Sequence, residues 1–228
     1  MLFILLHHFI SFNVYDANTQ VSGITLNKFL LQFLGNQAFI ANNIFFMISA
    51  WFLCDASGIF EGKKVGLRIW KLERQMLFYS LLFGVVSLFT VKDWLLMVKS
   101  LLPLTTGLWW YPSSYAFFLL FQPFYQKMLL KCSKQEMKWL IGVMIGIWSI
   151  PTLLPTEIFE LEANNTTCFF MLYAIIFYIK KWHMDVLNYK KIRWLLLISY
   201  ILVVISIVAL DFIGKWVPSA AQSSAYYI

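Results

Sequence analysis

Long apolar runs separated by short basic clusters constrain this chain more than any other feature. The runs cover residues 1–13, 38–54, 76–92, 114–130, 138–154, 166–180 and 192–212. A helix needs about 20 largely apolar residues, with a range of roughly 17–25, to cross the hydrocarbon core of a bilayer. Six of the runs are credible spans by that measure, and the first is too short to cross alone. The sequence is 61% hydrophobic and 13% charged, whereas soluble domains are roughly 45–50% apolar and 25% charged. The expected fold is all-α: one polytopic membrane helical bundle over residues 1–228, of about seven spans with the first incomplete. The chain is expected to be cut short at its start.

The basic residues decide the orientation. Lys63, Lys64, Arg68, Lys71 and Arg74 lie between the second and third runs, and Lys127, Lys131, Lys134 and Lys138 between the fourth and fifth. Lys180, Lys181, Lys190, Lys191 and Arg193 lie between the sixth and seventh. Fourteen of the 18 basic residues therefore fall on one side, which the positive-inside rule makes cytoplasmic. The chain is expected to start in the cytoplasm and end outside, as a multi-pass protein of the plasma membrane. A G-protein-coupled receptor has the opposite sense and is excluded. The net charge of +7 does not indicate nucleic acid, because the cations are spent in these topogenic clusters. Cys54, Cys132 and Cys168 are too scattered for a metal site or a disulfide framework. The first run lacks the basic leader and small-residue cleavage site of a signal peptide.

Two outer segments are long. One holds an amphipathic stretch around Thr25–Leu34. The other, residues 93–112, holds a second such stretch, Trp94–Leu102, then a turn at Pro103 and the aromatic cluster Trp109, Trp110 and Tyr111. Aromatics at such a place commonly anchor the membrane interface. Gly142 and Gly146 form a GxxxG pattern, which permits close helix approach. Pro151 and Pro155 are expected to end the fifth span. Asn164-Asn165-Thr166-Thr167 matches a glycosylation acceptor twice, which matters only in a eukaryotic secretory protein.

Four features carry candidate chemistry. His7 and His8 sit within Leu2–Phe12, and an ionisable side chain in an apolar run is a functional-site hypothesis by default. Histidine titrates near neutrality and can act as general base. Asn43 and Ser49 are polar within the second run; the competing explanation is helix–helix hydrogen bonding, at about 0.6 kcal/mol per contact. Arg68, Lys71 and Arg74 recur at i, i+3 spacing on one helical face, with Glu73 among them. Such a face can hold phosphates, although topology alone also explains cations there. The fourth is Leu102–Tyr111, leading into Tyr115 and closing the fourth span with Gln122-Pro123.

The order of an intramembrane HH, then NIFFMISAWFL, RIWKLERQMLFYSLL and PLTTGLWWYPSSYAFFLLFQPF resembles the membrane-bound acyltransferase-3 family. The bacterial branch that O-acetylates cell-surface polysaccharides is the most similar part. The resemblance covers roughly residues 1–130 by motif and the remainder by span pattern. It implies that His8 is the catalytic base with His7 beside it, and that an arginine would fall upstream of Met1. Phe45-Phe46-Met47-Ile48-Ser49-Ala50 stands for the family's FFxxSG, with Ala50 in place of the glycine and Asn43 as the polar residue ahead. Arg68, Lys71 and Arg74 correspond to its acyl-CoA patch. Family members have more spans, so helices are expected to be missing at both ends.

The resulting expectation is an enzyme moving an acyl group, most simply acetyl, from cytoplasmic acetyl-CoA to a polysaccharide hydroxyl outside, near Trp109, Trp110, Tyr111 and Tyr115. It needs no metal and takes the lipid bilayer and a glycan as partners. The rival is a non-enzymatic transporter or flippase for a lipid-linked sugar, with His8 as proton relay. Transporters tend to show internal repeats and broken helices, and the sequence has no repeat. A glycan polymerase, the third option, would need a larger outer loop than residues 93–112.

Overall fold

A computed structural model describes residues 2–11, 25–55, 61–90, 92–149, 165–184 and 188–213. Among them there are helices and connecting turns but no strand. The helices are α1 (Leu2–Ser11), α2 (Leu26–Leu53), α3 (Gly62–Thr90), α4 (Trp94–Leu101), α5 (Trp110–Lys131), α6 (Lys134–Met144), α7 (Asn165–Trp182) and α8 (Tyr189–Ile213). A π-helical turn, Ile145–Ser149, continues α6. Every apolar run seeds a helix, so the all-α expectation holds. Two helices are long and apolar enough to cross a membrane, Gly62–Thr90 with mean hydropathy 1.3 and Lys190–Ala209 with 2.4. Ile40–Leu53 is a shorter apolar segment.

Several boundaries differ from the sequence expectation, for local reasons. The Thr25–Leu34 stretch is no separate element but the first third of α2. Thr25 Oγ1 accepts the Lys28 backbone N–H at 3.2 Å and starts the helix, and no proline interrupts it before Leu53. Lys28 and Gln32, one turn apart, are buried at 8% and 0% exposure. The basic cluster of residues 63–74 opens α3 well ahead of the apolar run at 76–92, in keeping with the helical face expected of Arg68, Lys71 and Arg74. Pro123 does not close the fourth run; it lies inside α5, which continues to Lys131. The GxxxG glycines do not mediate a close approach, because a Cβ at Gly142 or Gly146 would meet nothing within 4 Å. Pro151, Pro155 and Asn164 lie outside the described residues.

The chain divides into two compact units. The first contains α1, α2 as far as Trp51, the end of α7 from Tyr178, and α8. There Lys180 Nζ donates to the Trp51 carbonyl at 2.9 Å and lies 4.5 Å from the centre of its indole. A cation on the last turn of α2 satisfies an orphan carbonyl and suits the negative end of the helix dipole. Phe33 and Tyr200 pack rings at 6.3 Å, joining α2 to α8.

The second unit runs from Phe52 to Trp148 and includes α7 as far as Phe177. Here α5 and α7 lie side by side in the same sense. Tyr111 faces Phe169 at 5.3 Å near their starts, Phe118 meets Phe170 and Tyr173 at 5.1 and 5.3 Å, and Tyr125 meets Phe170 at 5.1 Å. Edge-on and tilted ring pairs of this kind add to simple area burial. Tyr125 also reaches the Met144 sulfur at 3.8 Å, which ties in α6.

Candidate functional site

The most unusual construction in the second unit is the path from α3 to α5. Glu73, Ser80, Gly84 and Ser87 follow one another at spacings of seven, four and three residues, which places them on one face of α3. Ser80 and Ser87 are buried, and small residues of this kind let another backbone approach closely. After α3 the chain reverses at Lys92, whose φ of 58° is left-handed. Asp93 then caps α4 by accepting the Leu96 N–H at 3.0 Å. α4 doubles back along α3 so closely that a Cβ on Gly84 would stand 2.7 Å from Ser100 Oγ.

The turn that follows goes further along the same face. Thr106 Oγ1 donates to the carbonyls of Lys99 and Leu102, both at 2.9 Å, and Gly107 adopts φ +69°. Pro103 and Leu104 are buried. The Leu104 backbone N–H donates to the Glu73 carboxylate. Trp109 Nε1–H donates to Ser80 Oγ at 2.6 Å, and α5 begins at the next residue. The stretch expected at Trp94–Leu102 is thus the helix Trp94–Leu101, with the turn expected at Pro103 after it; what the sequence did not show is that Trp109 is bonded to Ser80 of α3. Trp110 remains exposed and stands edge-on to Tyr111 at 5.5 Å, while Tyr111 and Tyr115 are half-buried.

Arg68, Lys71 and Arg74 are all exposed. By helical rotation Lys71 lies opposite the Glu73–Ser87 stripe, with Arg68 and Arg74 on either side of it. In the first unit His7 is half-buried and His8 exposed on α1, their rings edge-on at 5.6 Å. Asn43 is half-buried. Ser49 Oγ donates to the Phe45 carbonyl one turn back at 3.4 Å, within its own helix rather than across to another. Phe46 and Ala50 beside it are fully buried, whereas Phe45 is exposed. The predicted residues thus group as His7, His8, Asn43 and Ser49 in one unit and the basic and aromatic sets in the other.

Among the described residues no group of three or more His, Cys, Asp or Glu is gathered as a metal site requires. No family model matches this chain, and no curated protein or solved structure does.

Sequence reasoning overlooked a buried polar ring in the second unit. Gln122 Nε2 donates to Gln126 Oε1 at 2.6 Å and to the Tyr173 hydroxyl at 3.0 Å. Gln126 Nε2 donates to the Cys54 carbonyl at 3.2 Å, and the Tyr173 hydroxyl is bonded to the Cys54 side chain. Gln122, Gln126 and Tyr173 are at most 2% exposed. The signal was available, because two glutamines at i, i+4 in an apolar helix share a face and must find partners when buried. The ring ties α5, α7 and the end of α2 together and reads as structural.

Proposed function

We propose that this chain is an integral membrane acyltransferase that moves an acyl group, most simply acetyl, from cytoplasmic acetyl-CoA to a hydroxyl of an exported or cell-surface polysaccharide. The observation that carries the proposal is the histidine pair on apolar α1, where an ionisable group has a high desolvation cost and a functional reading is the default. In this reading His8 removes the proton of the attacking hydroxyl, a role worth about 10²–10⁴ in rate, and His7 lies beside it. The exposed surface of Arg68, Lys71 and Arg74 suits the phosphates of a nucleotide thioester, since guanidinium and ammonium groups make charge-assisted bonds to phosphate. Trp110 offers the outer aromatic surface for the glycan, and Tyr111 and Tyr115 line the same turn of α5. No metal enters the reaction.

The reading places the chain in the plasma membrane with about seven spans and its N-terminus in the cytoplasm. Two contacts support that topology. The ends of α2 and α7 meet through Lys180 and Trp51, as two spans both running inward require, and α5 and α7 are parallel, as alternate spans must be.

The turn at residues 102–109 also favours a second reading, a lipid-linked sugar transporter or flippase, because irregular backbone at membrane depth is a feature of transporters. One experiment separates the two: the acetyl content of surface polysaccharide in cells with and without the gene. The acyltransferase predicts that acetyl esters disappear while the amount of polysaccharide is kept. Loss of polysaccharide with unchanged acetyl per sugar would favour the flippase and remove the enzyme.

A further inference from the structure

We infer that the start of α8 holds an anionic phospholipid, its headgroup on Lys190, Lys191 and Arg193 and its acyl chains along the apolar face that continues from Trp194. The inference rests on the membrane topology proposed above and not on acyl transfer. Lys190–Ala209 has mean hydropathy 2.4, yet only 6% of its apolar window is buried within the protein. A span of this kind is bounded by lipid on nearly every side, so what meets its charged end is a headgroup. Asn188 fixes where that end begins. Its Oδ1 accepts the Lys190 N–H and its carbonyl accepts the Ile192 N–H, both at 3.0 Å. Lys190, Lys191 and Arg193 thus fall within the first five residues of the helix, and all three are exposed. Among the described residues no carboxylate pairs with any of them; the ion pair there joins Lys64 and Glu61. Asp185, the one acidic residue between Lys180 and Arg193, lies outside the described residues.

The face below these cations suits a lipid. Lys190, Trp194, Ile198, Ile201, Ile205 and Val208 follow at steps of four or three residues, which keeps them on one side of the helix. Trp194 is 65% exposed, and the four aliphatic residues beyond it are exposed as well. From Trp194 to Val208 the helix rises about 21 Å, more than the roughly 15 Å of one hydrocarbon leaflet. An acyl chain therefore has apolar contact over its whole length, with the indole at the usual depth of an aromatic anchor. Position along the helix separates this cluster from the one on α3. Lys63 lies 13 residues ahead of the run at 76–92, or about 20 Å, beyond a headgroup layer of roughly 5–8 Å. Lys190 and Lys191 directly precede the run at 192–212 and Arg193 lies at its start, which sets all three at headgroup level. Topology alone asks only that cations stay on one side. A cluster beside a span also selects a net negative headgroup, by about fivefold in affinity for each Lys or Arg.

The test uses the full chain in phosphatidylcholine nanodiscs containing a trace of phosphatidylglycerol with a photoactivated diazirine beside its headgroup. Labelled peptides are located by mass spectrometry. The site predicts label concentrated in residues 188–198, and several-fold less of it once unlabelled phosphatidylglycerol replaces a minor share of the phosphatidylcholine. Lys190→Gln/Lys191→Gln/Arg193→Gln should lose at least about tenfold of the label. Lys190→Arg/Lys191→Arg should keep it, which separates loss of charge from a folding defect. Label spread evenly over Gly62–Thr90 and α8 in the unsubstituted chain would overturn the inference, as would unchanged labelling of the triple Gln variant. Competition by inorganic phosphate as strong as by the lipid would also overturn it, in favour of a free-phosphate site. Label confined to α8 without any acetyl transfer would keep the lipid site and remove the acyltransferase; transfer with even label would do the reverse.

Discussion

Gly84 shows how much can depend on one missing methyl group. Ser100 Oγ and Cβ would stand 2.7 and 3.0 Å from an added Cβ, and the Met97 sulfur 3.2 Å. Gly84→Ala should therefore push α4 off α3 and lower stability by about 1–3 kcal/mol, the usual cost of overpacking, despite the higher helix propensity of alanine. Thermal unfolding in detergent checks this; an unchanged or raised midpoint would show that α4 is not seated as described. Single residues of this kind were poorly legible in the sequence. Ser80, Gly84 and Ser87 interrupt an apolar run without breaking it, so hydropathy passes over them, and their shared face matters only once α4 is known to return along it. Ser49 was legible as a polar exception, but its partner, the Phe45 carbonyl of its own helix, was not. The histidine pair was legible at once, because nothing else in Leu2–Ser11 is ionisable.

Helices were legible at their centres and less so at their ends. Hydropathy marks the segment that must leave water, whereas the ends depend on capping and on what packs there. α3 extends 14 residues ahead of the apolar run at 76–92 because Lys63, Lys64, Arg68, Lys71 and Arg74 are good helix formers. Pro123 stays within α5 although proline removes a backbone donor; it is buried there. α6 has the clearest start. Ser133 Oγ accepts the Glu136 N–H at 3.3 Å and Glu136 Oε2 accepts the Ser133 N–H at 2.7 Å, a reciprocal capping box. The Ser133 N–H, and then its hydroxyl, hold the Glu136 carboxyl below the usual carboxylate range. Its folded value lies below its unfolded one, so the box stabilises the fold fully above the ordinary glutamate range and is lost as pH falls through the lowered folded value. The unfolding midpoint of the unsubstituted chain should exceed that of Glu136→Gln near neutrality, and the gap should close on acidification. A gap independent of pH would mean that the carboxylate charge plays no part in the cap.

At the scale of the molecule, the all-α character was the legible part, and the internal wiring was not. α5 buries Gln122 and Gln126, and α2 buries Lys28 and Gln32. Such residues lower the hydropathy of a helix, and the glutamines of α5 are answered from within by partners distant in sequence, Cys54 and Tyr173. The basic surface on α3 makes a prediction at this scale. Arg68→Ala should raise the KM for acetyl-CoA while leaving the KM for the glycan unchanged; equal KM values for acetyl-CoA would leave Arg68 with a topological role alone. The most direct measurement is transfer of labelled acetyl from acetyl-CoA to surface polysaccharide by membrane vesicles carrying either this chain or its His8→Ala variant at matched levels in the membrane. The account predicts transfer by the first and a loss of at least about 10² for the second. Equal transfer by both, or none by the unsubstituted chain, would contradict it.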